Sequence, residues 1–171
     1  MLDKKVAQLL NTQINKEVYS EYLYLDFSNY FAYEGLAGFA NWYSIQAKEE
    51  HDHAMLFLQY LQNNGYKVTL DAIDKPGKKL NKHGDPLKYS LEHEQYVTSL
   101  INNIYAAADK ANDYRTMQFL DWFVKEQGEE EKNAEDMIKK FELFGNDAKS
   151  LYLLDTELKS RVYSAPSLVL D

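Results

Sequence analysis

GYKVTLDAIDKPGKKLNKHGDP, residues 65 to 86, holds three glycines and two of the chain's three prolines and carries no helical period. A break of this length between long helical stretches decides how those stretches can be stacked. Before it, apolar residues recur three or four apart from Asp3 to Tyr33 (Val6, Leu10, Ile14, Tyr24, Phe27, Phe31), then Glu34-Gly35 interrupts. A second helix is predicted over 36–64, closed by Asn64-Gly65. After the break, Asp85-Pro86 reads as an N-cap followed by proline at the first helical position, which predicts helices over 86–112 and 114–144. A short fifth helix is predicted over 147–160, capped by Asn146 or Asp147. Helices of about 27 to 30 residues are roughly 40 Å long. A linker of about 20 residues, spanning 65–85, can extend to roughly 65 Å and so run the length of a bundle. Short turns make the first and second pairs antiparallel hairpins. The expectation is therefore an all-α, single-domain four-helix bundle over 1–171, up-down-down-up with one long crossover, plus the short C-terminal helix.

Composition narrows the function before any motif does. The chain of 171 residues is long enough for one well-buried core, and its formal charge of −8 argues against nucleic acid or anionic membranes as partners and favours cations. There is no cysteine, which excludes disulfides, iron–sulfur clusters and cysteine-ligated zinc and fits a reducing compartment. MLDKKVAQLLNTQINKE turns polar before a signal-peptide core could form, and no apolar run approaches the roughly 18 residues that span a bilayer. A cytoplasmic location is expected.

An internal repeat locates the chemistry. AKEEHDHA (47–54) aligns with VKEQGEEE (124–131) at an offset of 77 positions, and the same offset carries Glu17 to Glu94 and Tyr19 to Tyr96. A duplicated hairpin gives one spacing for both helix pairs. Glu17 lies on the stripe of Leu10, Gln13 and Tyr24, and Glu94 lies among Leu87, Leu91, Val97 and Ile101. Glu50 and His53 are i and i+3 on the face continued by Phe57 and Leu61; Gln127 and Glu130 repeat that spacing between Phe123 and Ala134. Buried carboxylates cost several kcal/mol each, roughly, unless neutralised or coordinated. Four of them with one imidazole on inward faces call for divalent metal, and hard oxygen donors suit iron or manganese better than structural zinc. His51, His83 and His93 receive structural or solvent-exposed readings, and Trp122 reads as a core aromatic.

Glu17, Tyr24, Glu50-x-x-His53, Glu94 and Gln127-x-x-Glu130 together resemble the ferroxidase centre of the non-haem bacterial and archaeal ferritins. The likeness extends from LLNTQINKEVYSEYLY to SLYLLDTEL. It implies a ferritin-like fold and an iron-storage protein that oxidises Fe(II) with dioxygen, with hydrogen peroxide as an alternative oxidant, and keeps the ferric oxo-hydroxide mineral inside a homo-oligomeric shell of 24 subunits. It implies one iron at Glu17, Glu50 and His53 and a second at Glu50, Glu94 and Glu130, with Glu50 bridging. Gln127 would hold the oxygen species, and Tyr24 would serve as an electron donor, where its other reading is a core aromatic. A third iron site would use Glu49, Glu126, Glu129 and Glu130; the alternative for those acids is a solvated face. The fifth helix, with Leu151, Leu153 and Leu154, matches the element that closes such shells.

The resemblance also separates siblings. Haem-binding bacterioferritins carry a methionine at the position of Asp52, so no haem is expected, and their fourth helix has Glu-x-x-His where this chain has Gln127-x-x-Glu130. The DNA-binding mini-ferritins lack the fifth helix, and the one basic run here, KPGKKLNK (75–82), reads as a solvated loop. A rubrerythrin-like di-iron peroxidase usually needs cysteine-held iron. A metal-free helical interaction module would leave Glu17, Glu50, Glu94 and Glu130 without a role.

Overall fold

The computed structural model describes residues 2–170. Among them it contains five helices: α1 (Lys4–Tyr33), α2 (Ala37–Asn63), α3 (Gly84–Lys110), α4 (Tyr114–Phe144) and α5 (Ala148–Leu158). Aspartates open three of these. Asp3 accepts from the Lys5 and Val6 amides, Asp113 from Thr116, and Asp147 from Lys149 and Ser150, each satisfying donors that a helix start leaves free. Asp147 is thus the cap of α5, which stops at Leu158, two residues short of the predicted end.

The start of α3 differs from the sequence expectation. The helix begins at Gly84, and the Asp85 carboxylate turns back to accept from the Asn81 amide at 2.8 Å and the Lys82 amide at 2.9 Å. The acid closes the turn before the helix instead of capping it from outside. Pro86 is tolerated inside the first turn because an amide hydrogen there has no helical partner.

The crossover is tied to α1 in register. Asn11 donates to the Thr69 carbonyl at 2.9 Å, Asn15 to that of Ala72 at 2.9 Å, and Tyr19 to that of Pro76 at 3.4 Å. His83 then reaches Glu34 at 3.1 Å. The strand of loop therefore travels along α1 in the direction of α1, returning the chain to the end where α2 began. α3 accordingly runs parallel to α2, the up-down-down-up arrangement. α1 packs on α2 and α3, α3 on α4, and α5 on α2 and α4. α2 and α4 meet through rings, with Phe57 stacked on Phe123 at 4.2 Å between centroids.

The apolar core falls into two clusters. One gathers Leu10, Ile14, Phe57, Leu61, Ile101, Phe119 and Phe123; the other gathers Leu23, Phe27, Phe31, Phe39, Leu87 and Met137. Burial of each such side chain is worth about 1.5–3 kcal/mol. Between the clusters lies a polar layer to which all four long helices contribute.

α5 seats on the start of α2. Leu36 supplies no side-chain cap there, and the buried Asp155 of α5 takes over that task, accepting from the Gly38 amide at 2.7 Å and the Phe39 amide at 3.1 Å. The contact needs glycine: a Cβ on Gly38 would lie 1.7 Å from the Asp155 carbonyl oxygen. Beyond α5 the chain follows α2. Asn41 donates to the Arg161 carbonyl, Tyr163 to the Asp52 carboxylate, and Gln59 to the Leu170 carbonyl, while Trp122 of α4 donates to Ser167.

Candidate metal centre

The polar layer consists of Glu17 from α1, Glu50 and His53 from α2, Glu94 from α3, and Gln127 and Glu130 from α4, all of them buried. Each reaches the interior because it occupies an apolar-stripe position of its helix. Glu17, Glu50 and His53 each present one ligand atom, and those atoms lie within 4.8 Å of one another. His53 Nδ1 is 3.5 Å from a Glu50 oxygen, and its ring is held edge-on between Trp122 and Phe123.

The carboxylates are steered by neutral donors. Gln13 donates to Glu17 Oε1 at 2.8 Å. Gln46 donates to Glu130 Oε2 at 2.7 Å and to Glu50 Oε1 at 3.4 Å. Tyr24 donates its hydroxyl proton to Glu94 Oε1, and Gln127 donates to Glu94 Oε2 at 3.2 Å. Among the described residues, Glu17 Oε2 is the fully buried side-chain oxygen that has no hydrogen-bond partner. An orphaned acceptor of this kind costs about 1–3 kcal/mol unless something electropositive meets it.

Burial, more than any neighbour, pushes the carboxyls up. Glu17 is raised to about 8, with the Glu50 charge adding to the effect; Glu94 rises to about 8 by burial and then Glu50; Glu130 rises to about 8 by burial and then Glu94. Glu50 is raised well above its ordinary value by burial and by Glu130. Such groups keep protons at neutral pH until a cation displaces them. Oxygen donors in this number with a single imidazole fit a divalent ion of the iron or manganese type.

The acids expected around this centre are placed differently. Glu49 and Glu126 are half-buried, and burial raises both. Glu129 is exposed and lies 3.4 Å from Lys125. Glu49 is engaged by Arg161 at 2.6 Å. Tyr24 is fully enclosed, stacked on Tyr43 at 5.8 Å, and burial followed by the Glu94 charge raises it well above the ordinary tyrosine value. Of the three histidines outside the layer, His51 pairs with Glu21 and His83 with Glu34 near the surface. His93 is buried against Ser20 at 2.7 Å and lowered to about 4, chiefly by burial. Trp122 is half-buried at the edge of the core, its indole N–H on Ser167.

Sequence reasoning missed Gln46, Arg161 and the capping role of Asp155. A signal existed for the first: Gln46 precedes Glu50 by four residues, as Gln13 precedes Glu17, so each amide lies one turn behind its acid. No local pattern pointed to Arg161.

A family model described as "Ferritin-like domain" matches residues 7–144. The chain is 36% identical over 160 residues to a bacterial non-heme ferritin of Campylobacter jejuni, covering 94% of this chain and 96% of that one. It is 35% identical over 164 residues to one from Staphylococcus epidermidis, covering 96% and 99%. Among solved structures, an engineered closed form of the Archaeoglobus fulgidus ferritin superposes with a TM-score of 0.93 at 38% identity, covering 96% of this chain and all of that one. The open-pore ferritin of the same archaeon gives 0.92, also at 38% identity, covering 95% of this chain.

Proposed function

Because this chain belongs to the ferritin-like domain family, we propose that it stores iron, oxidising Fe(II) at the buried carboxylate layer and retaining the ferric oxo-hydroxide inside a 24-subunit shell. Iron is here substrate and cargo. One Fe(II) binds at Glu17, Glu50 and His53 and a second at Glu50, Glu94 and Glu130, with Glu50 shared. A third binds at Glu49, Glu126, Glu129 and Glu130. Dioxygen accepts the electrons, hydrogen peroxide being the alternative oxidant. No haem is involved, and the protein acts in the cytoplasm.

The observation that carries this reading is the buried convergence of Glu17, Glu50 and His53, whose ligand atoms lie within 4.8 Å of one another while Glu17 keeps one oxygen unpartnered. A core does not retain an unpartnered acceptor beside two further ligands without a use for it. The chain's own side chains have distinct tasks. Gln13 and Gln46 orient Glu17, Glu50 and Glu130 by donating to one oxygen and leaving the other free. Tyr24 and Gln127 hold Glu94 in place from both sides, one donating to Oε1 and the other to Oε2, and the Tyr24 hydroxyl stands ready as an electron and proton donor beside the oxidised product. The second set of three has no imidazole, so it holds iron more loosely and lets ferric product leave, which suits storage better than a resident cofactor.

The test is aerobic Fe(II) loading followed by gel filtration, with iron per subunit and elution volume both recorded. Storage predicts iron far in excess of the ligand groups, co-eluting with a very large particle. About two irons per subunit on a small oligomer would mark a di-iron oxidoreductase instead and end the storage reading.

A further inference from the structure

Arg161 leaves the end of α5 and comes back to the centre. Its Nη2 lies 2.6 Å from Glu49 Oε2, its Nη1 donates to Gln46 Oε1 at 3.0 Å and to the Trp42 carbonyl at 3.2 Å, and its guanidinium lies 4.1 Å over the Trp42 ring. The pair is largely withdrawn from solvent, with side chains 17% and 19% exposed. A guanidinium donates only and stays charged at every pH of interest. It therefore fixes which way Gln46 faces: the amide oxygen must point to Arg161 and the amide nitrogen to Glu130 and Glu50.

We infer that Arg161 is a built-in cation seated on Glu49, so that a third iron binds only by displacing it, and that its release loosens the tail along α2. The inference rests on the metal-centre reading above and adds an occupant to its third site. Two observations carry it independently. Glu49 already has its charge neutralised at hydrogen-bond distance, so a metal there competes with a bound guanidinium instead of meeting a free carboxylate. Among the described residues, the segment beyond Arg161 forms no helix and is held by three hydrogen bonds, Tyr163 on Asp52, Ser167 under Trp122 and the Leu170 carbonyl on Gln59, and by partly buried Leu168 and Leu170 against the core. That is a strap able to lift without disturbing the helices.

The assembled, metal-free protein is titrated with Zn2+, which is redox-silent, by calorimetry. In parallel, tryptophan fluorescence is followed with both of the chain's indoles, Trp42 and Trp122, in place, and the Trp42 signal is the part of the change that a Trp42→Phe control lacks. The expected result is two tighter equivalents and a weaker third, with the Trp42 signal changing at the third. In Arg161→Gln the third equivalent tightens by on the order of tenfold and the Trp42 change at that step disappears. Arg161→Lys, which keeps the positive charge, stays within about threefold of the parent. A third equivalent unmoved in both variants, or a Trp42 signal indifferent to it, overturns the inference and leaves the two-metal reading standing. Failure of the first two equivalents to bind overturns both.

Discussion

Glu17, Glu94 and Glu130, each raised to about 8, make the metal-free fold sensitive to pH in a direction opposite to that of ordinary paired carboxylates. In the unfolded chain these acids release their protons near their ordinary value of 4.5, while the native core keeps them. Stability is therefore full below the unfolded value and is lost as pH rises through the folded one. The thermal midpoint of metal-free protein should fall between about pH 5 and about pH 8, and bound divalent metal should remove the slope. Anaerobic Fe(II) addition at neutral pH should release protons to an indicator dye; a midpoint rising with pH across that window would contradict the assignment. Gln46 offers a second check at this scale. Gln46→Leu removes the donor to Glu130 and Glu50 without adding charge, and the affinity for the first two equivalents should drop by roughly tenfold or more in the same anaerobic titration.

At the scale of elements, α5 is held by what it does for α2. Asp155 is buried and accepts from two amides that α2 cannot satisfy itself. Asp155→Ala should cost about 2 kcal/mol, the sum of a lost cap and buried donors left unpaired. Hydrogen exchange reads this directly: the Gly38 and Phe39 amides should lose protection while those at the middle of α1 keep theirs. Unchanged protection at Gly38 would mean that the helix start is satisfied in some other way. The same principle explains why α3 begins before the position that the sequence predicts. Asp85-Pro86 reads as cap and first residue, but a carboxylate one step inside a helix can reach backward to the turn before it, and sequence alone does not say which direction it takes.

At the scale of the molecule, α5 leaves Tyr152 and Leu153 exposed, at 66% and 59% of their surface, while Leu154 and Leu158 face the bundle. Within the proposed shell those two exposed side chains are contact surface between subunits. Leu153→Glu should thus yield a smaller particle by gel filtration with the helical content unchanged, because the substitution touches no residue of the core. A full-sized particle would move the contact elsewhere.

The four long helices, their order and the single crossover were legible in the sequence, because amphipathic period and proline and glycine placement act over a few residues. So were Glu17, Glu50, His53, Glu94, Gln127 and Glu130 as inward polar positions, since a charge on an apolar stripe announces itself through helical spacing alone. What the sequence by itself could not determine is whatever joins residues far apart along the chain. Arg161 meets Glu49 across 112 positions, and Asp155 meets Gly38 across 117. Neither arginine nor aspartate carries a local pattern that names its partner. Only the tertiary structure, by folding the tail back along α2, decided that one of the expected metal-ligand acids already has a cation on it.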